Sequence, residues 1–217
     1  MSLIRMICLV LLLSIAALQA CARRLPEQEA HVQRLLLTSN GLTTPELRRE
    51  FSRLLRKNNR AEPAVLYIPD AAIGEGGQEA VLCAQRSAEL IGLGAHTVEC
   101  LPLKSAQPSE IRAKLDTCDA VYVDYGNTFY LTYYMRSSGF AGLIHSAVKQ
   151  GILYVGSSAS TIAAGPTASI AFWKGWDDPG YAHPVFDVRI EDSLWYEART
   201  PSIMHIVHQE STRKFIW

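Results

Sequence analysis

Five short apolar runs, separated by segments of helical character, constrain this chain more than any other feature. Leu35-Leu36-Leu37-Thr38-Ser39, Ala64-Val65-Leu66-Tyr67-Ile68, Thr97-Val98-Glu99-Cys100-Leu101, Ala120-Val121-Tyr122-Val123 and Gly151-Ile152-Leu153-Tyr154-Val155 each read as a strand. Continuous rather than alternating runs mark strands covered on both faces. Thr44-Pro45-Glu46 opens a helix, with Thr44 as N-cap, Pro45 at its first position, and Leu47, Phe51, Leu54 and Leu55 on one face. A second helix is predicted from about Gln78 to Ile91, with Ala80, Ala84, Ala88 and Ile91 turned inward. Further helices are predicted over Pro108–Leu115, Thr128–Met135 and Phe140–Lys149. The alternation predicts an α/β fold, a mainly parallel sheet with helices on both faces. In such sheets sites form at the carboxyl ends of the strands. Ser39-Asn40, Asp70-Ala71, Asp124 to Asn127 and the segment after Val155 all fall there.

The segment after Val155 carries the chemistry. Gly156-Ser157-Ser158-Ala159-Ser160 joins a strand to Thr161-Ile162-Ala163-Ala164, which can start a helix. A serine flanked by small residues at such a turn has the form of a nucleophile elbow. The small neighbours let backbone pack on backbone, and the N–H groups that follow can hold developing negative charge. Ser158 is the candidate nucleophile, and the reading is a hydrolase. The closing glycine of the usual G-x-S-x-G pattern is here Ser160, which adds a Cβ where strand and helix converge.

Composition excludes some classes. The chain has 217 residues and a formal net charge of zero, so no overall field favours nucleic acid or an anionic membrane. It has no CxxC or HExxH, and no metal or organic cofactor is expected. Gly74-Glu75-Gly76-Gly77 permits a flavodoxin-like nucleotide or flavin binder as a competing class, without a GxGxxG or Walker pattern. Cys8, Cys21, Cys83, Cys100 and Cys118 do not suggest a disulfide framework, and the last three read as small core hydrophobes.

At the amino end, Arg5 precedes the apolar run Met6 to Leu18, then Leu18-Gln19-Ala20-Cys21 and Arg23-Arg24. This reads as a secretory signal cleaved after Ala20, since the run falls short of the roughly 20 residues that span a bilayer core. Secretion or an extracellular location follows, with an uncleaved anchor or a lipidated Cys21 as alternatives. Residues 1–20 are then the signal, 21–34 a linker, 35–180 the α/β domain and 181–217 a divergent tail.

Together these segments resemble the serine peptidase family of the aspartyl dipeptidases (dipeptidase E) and the cyanophycinases. Four stretches carry the likeness: Leu36 to Gly41, Tyr67-Ile68-Pro69-Asp70-Ala71, Gly126-Asn127-Thr128, and Tyr154 to Ser158 with Ala164-Gly165-Pro166-Thr167. The match runs from about Leu35 to Pro179. The resemblance implies a class I glutamine amidotransferase-like (flavodoxin-like) architecture and a peptidase acting on short acidic peptides. It gives Ser158 the nucleophile's role, and the N–H groups of Ala159 and Gly126 the oxyanion hole. It implies an acidic residue in Trp176-Asp177-Asp178-Pro179, with Asp178 preferred over Asp177.

It also implies a histidine in a Pro-His context on a later strand, which this sequence lacks. The candidates are His208, at the end of the run Ile203-Met204-His205-Ile206-Val207, then His205 within it, and His183. Asp124-Tyr125 replaces two family glycines beside the presumed oxyanion hole, where the carboxylate either opposes an oxyanion or points away. A small peptide is the expected partner, with no stable membrane partner after signal cleavage. The oligomeric state is not fixed by the sequence. The alternative function is a catalytically impaired or truncated homologue that keeps the fold.

Overall fold

A computed structural model of the protein describes residues 33–58, 60–174 and 177, and the backbone of a strand at 203–206. Six parallel strands form one sheet in the order β3-β2-β4-β5-β1-β6. They are β1 (Arg34–Thr38), β2 (Ala64–Ile68), β3 (Thr97–Cys100), β4 (Ala120–Val123), β5 (Leu153–Ser157) and β6 (Ile203–Ile206). All five sequence-predicted strands are present. The run Ile203 to Val207 supplies β6, which lies parallel to β1 with His205 opposite Leu36.

The helices are α1 (Pro45–Leu55), the single turn α2 (Asp70–Ile73), α3 (Glu79–Gly92), α4 (Pro108–Thr117), α5 (Thr128–Ser137), α6 (Phe140–Lys149) and α7 (Ala159–Ala163). Thr44 caps α1 by accepting the Leu47 N–H. Successive strand residues point to opposite faces, and the core divides accordingly. Leu36, Val65, Tyr67, Tyr122 and Val155 pack with Leu47, Phe51 and Leu54 of α1 and Leu90 of α3. Leu35, Leu66, Ile68, Val121, Val123 and Tyr154 pack with side chains of α4, α5, α6 and α7. Both sheet faces are therefore covered over β1, β2, β4 and β5, whereas the edge strand β3 exposes Thr97 and Glu99 on one face.

Two sequence readings are corrected. Ala80, Ala84, Ala88 and Ile91 face solvent, Ile91 being 51 % exposed. Cys83, Arg86 and Leu90 turn inward instead. An alanine stripe buries little apolar area, whereas the opposite face carries leucine, an ion pair and a covalent link. That link is the second correction: Cys83 of α3 and Cys100 of β3 form a disulfide rather than acting as separate core hydrophobes. Cys118 remains a free thiol.

Asp70, at the carboxyl end of β2, is fully buried and accepts the N–H groups of Leu103 (2.8 Å) and Lys104 (3.1 Å). Desolvation pushes its carboxyl up from 3.8 to about 6, against the pull of those N–H groups. Because the folded value exceeds the unfolded one, this group's contribution to stability is complete below the unfolded value and is lost as pH rises through the folded one. The stability advantage of wild type over Asp70→Asn should therefore shrink by up to about 3 kcal/mol between about pH 4 and pH 7, a shift of roughly two pKa units. Urea unfolding of both proteins across that range measures it, and a pH-independent difference would contradict it.

Candidate active site

The strand β5 runs between β1 and β4, with Ser157 opposite Thr38 and Gly156 opposite Leu37 and Val123. The chain then turns sharply at Ser158, and α7 begins at Ala159. Ser158 has φ 50° and ψ −101°, and it is the one non-glycine residue with positive φ among the described residues. Such a conformation costs of order 1–3 kcal/mol and persists only where its surroundings enforce it.

The enforcing contacts are on both sides. The Thr38 carbonyl accepts the Ser158 N–H at 2.9 Å and the Thr161 hydroxyl at 2.8 Å. The Thr38 hydroxyl donates to the Gly156 carbonyl at 3.0 Å. At Gly156 a Cβ would lie 3.1 Å from the Thr161 N and 3.2 Å from Leu37 Cδ2, so a side chain there would press on the bend. Ser158 itself is partly exposed while its neighbours Ser157, Ala159 and Ser160 are buried.

Ser160 takes the position of the pattern's last glycine without disrupting the turn. Its side chain is fully buried; the hydroxyl accepts the Ser157 N–H at 2.6 Å and donates to the Val123 carbonyl at 2.6 Å. The Tyr154 hydroxyl donates to the Ser160 carbonyl at 2.9 Å. The extra Cβ is offset by hydrogen bonds that glycine cannot make.

The loop leaving β4 stands beside this turn. Gly126 has φ 135°, and a Cβ there would overlap the Ala71 carbonyl and lie 2.7 Å from the Ala72 N. The next residue's N–H donates to the Ala71 carbonyl at 2.9 Å. Asn127 then caps α5 by accepting the Tyr130 N–H at 2.8 Å. Asp124 does not oppose an oxyanion: it is 1 % exposed and points away, into Tyr67 and Arg86. Neither partner was evident in the sequence. The inward helical phase Cys83-Arg86-Leu90 is the signal that could have found Arg86.

Of the two candidate orienting acids, Asp177 is described. It is buried, and its Oδ2 accepts the Thr128 N–H at 3.0 Å, fastening the first turn of α5. Asp178, His183 and His208 lie outside the described residues, and of His205 only the backbone is described. The strand β6 places that backbone beside β1, whose end holds the elbow. Among the described residues no group of three His, Cys, Asp or Glu side chains could hold a metal.

The sequence profile of peptidase family S51 matches residues 35–183. The chain belongs to peptidase family S51. An uncharacterized peptidase of Listeria monocytogenes is 31 % identical over 146 residues, covering 67 % of this chain and 66 % of the relative. Another, from Listeria innocua, is 30 % identical over 154 residues, covering 71 % and 69 %. The chain thus spans about two thirds of the length of these relatives. The 1.5 Å crystal structure of a putative peptidase E from Listeria monocytogenes superposes with TM-score 0.57 at 26 % identity, over 75 % of this chain and 74 % of that one. A peptidase from an acI-B1 actinobacterium shares the fold at TM-score 0.53 and 19 % identity, over 63 % and 59 %. The S51 membership agrees with the resemblance to the dipeptidase E and cyanophycinase family, and the fold agrees with the sheet expected from it.

Two substitutions test this account of the elbow. Ser160→Ala leaves a buried N–H and a buried carbonyl without their shared partner, and should lower stability by about 1–3 kcal/mol in urea unfolding. Gly126→Ala must drive the loop off Ala71, and should lower stability by at least about 1–3 kcal/mol of backbone strain in the same measurement. Wild-type stability in either variant would contradict the packing described here.

Proposed function

We propose that this S51 protein is a serine-type peptidase that cleaves short peptides. The observation that carries this reading is the strained, partly exposed Ser158 at a strand-turn-helix junction. A serine hydroxyl is a poor nucleophile near neutral pH unless a base takes its proton. In the proposed reaction His208 is that base, and Asp178 holds its imidazole in the required tautomer. The Ser158 oxygen attacks the peptide carbonyl while its proton passes to His208. The oxyanion that forms is held by the N–H groups of Ala159 and Gly126. His208 returns the proton to the leaving amine, and water, deprotonated by the same histidine, hydrolyses the acyl-enzyme. His205 and Asp177 are the reserve assignments for base and orienting acid. The chemistry calls for no metal or organic cofactor.

Short acidic peptides are the proposed substrates, by likeness to the dipeptidase E family. We also propose that residues 1–20 direct the chain into the secretory route. The Cys83–Cys100 bond supports this, since disulfides persist chiefly in oxidising compartments.

A fluorophosphonate probe tests the central claim. The full chain should label, Ser158→Ala should abolish labelling, and His208→Ala should reduce it by about 10²–10⁴-fold, the scale of general-base catalysis. Loss in His205→Ala with retention in His208→Ala would transfer the base to His205. A folded protein that fails to label would establish instead an impaired homologue that keeps the fold, the reading favoured by the missing Pro-His.

A further inference from the structure

A glycine of the family pattern is replaced at residue 124 by a buried carboxylate that accepts four hydrogen bonds. Asp124 accepts the Tyr67 hydroxyl at 2.6 Å. It accepts Arg86 Nη2 through both oxygens, at 2.9 and 3.0 Å, and the Tyr125 N–H at 2.9 Å. Arg86 lies over the Tyr122 ring at 4.7 Å and also pairs with Glu89. A buried ion pair is a poor stabilising device, because desolvating both charges consumes most of the Coulomb gain. What it does supply is geometry. Tyr125 and Gly126 are carried on a stem whose first residue is fixed by four hydrogen bonds, and Asn127 and Thr128 are fixed on the far side.

The disulfide flanks both donors of this anchor. Cys83 sits one helical turn before Arg86 on α3, and Cys100 pairs in register with Tyr67 of β2. Leu90 is the one fully buried side chain of α3, near the helix's carboxyl end. The stretch that bears Arg86 is held to the sheet by the Cys83–Cys100 bond, by the ion pair with Asp124 and by the stacking of Arg86 on Tyr122.

We propose that Asp124, Arg86 and Tyr67 are positioning residues for the Gly126 N–H, and that the Cys83–Cys100 bond holds them in place, so that hydrolytic turnover depends on this bond being oxidised. The proposal rests on the reading of Ser158 as nucleophile and Gly126 as oxyanion donor. Reduction by a dithiol breaks the S–S bond, delivers two electrons and two protons to give the Cys83 and Cys100 thiols, and leaves the dithiol as a cyclic disulfide. No catalytic atom changes; the loop loses its fixed stem.

The test uses the full oxidised chain, with hydrolysis of aspartyl p-nitroanilide as readout and dithiothreitol as reductant. Reduction should lower kcat by at least about tenfold, the scale of losing part of an oxyanion hole, with KM held within about twofold and recovery on reoxidation. Asp124→Asn should show the same loss, and reduction should add little to it, since coupled groups are non-additive. Unchanged kcat after mass spectrometry confirms the two thiols, or effects that simply multiply, would overturn the proposal. Hydrogen exchange across residues 124–128 decides it independently of activity. Protection should fall on reduction, and unaltered protection overturns the anchor even if Ser158 proves catalytic. If Ser158→Ala does not alter hydrolysis, the nucleophile reading fails instead, while the exchange result still stands or falls by itself.

Discussion

The whole arrangement depends on β5 being gripped from both sides tightly enough to keep Ser158 at φ 50°. A non-glycine residue does not rest there unaided. On one side the Thr38 carbonyl takes two donors, and on the other the Ser160 hydroxyl ties the turn to Val123 of β4. Parallel pairing makes this possible, because three adjacent strands end at the same edge and offer their last carbonyls to one another. The strain is thus shared by elements far apart in sequence. Its result is local: Ser158 stands partly exposed among buried neighbours.

The parts of the fold that sequence reveals are those whose physics is local. A run such as Val121-Tyr122-Val123 is apolar on both sides of the pleat, so it must be covered twice wherever it lies. Thr44 before Pro45 fixes a helix start through bonds within one turn. The turn at Ser158 is legible for the same reason, since small residues on either side are a requirement of its own backbone. Asp124 and Arg86 are not legible in this way. Their partnership spans 38 residues and depends on which face of α3 meets the sheet. The alanines at 80, 84 and 88 mimic an inward stripe, yet they lose to a face holding Leu90, Arg86 and Cys83. Spacing along the chain likewise says nothing about whether two cysteines on a helix and an edge strand will meet. Ser160 was legible as a departure from a pattern, but its compensating bonds were not.

The buried charges follow a common rule. Arg34 donates to the carbonyls of Leu54 and Gly151, Asp119 accepts the Ala64 N–H, Asp70 accepts Leu103 and Lys104, and Asp124 accepts Tyr125. Each bonds the backbone of a connection, a helix's last turn or a strand's first residue. Within the sheet the ladder already satisfies the backbone, whereas a βα connection has no such partner and its polar groups must still be paired when covered. A charged side chain supplies that pairing in a fixed direction and at short range.

That rule changes how the departure at residue 124 is understood. Glycines in a loop permit an unusual path but do not enforce one, because glycine surrenders more conformational freedom on ordering than any other residue. Asp124 enforces the path from outside, through a buried carboxylate held by the Tyr67 hydroxyl and the Arg86 guanidinium. Gly126 keeps its glycine because no Cβ fits against Ala71. The loop beside Ser158 therefore combines one position that must lack a side chain with another whose side chain is fully committed. At residue 124 a committed side chain thus stands where a glycine would leave the path free, and the loop leaves β4 on a fixed stem.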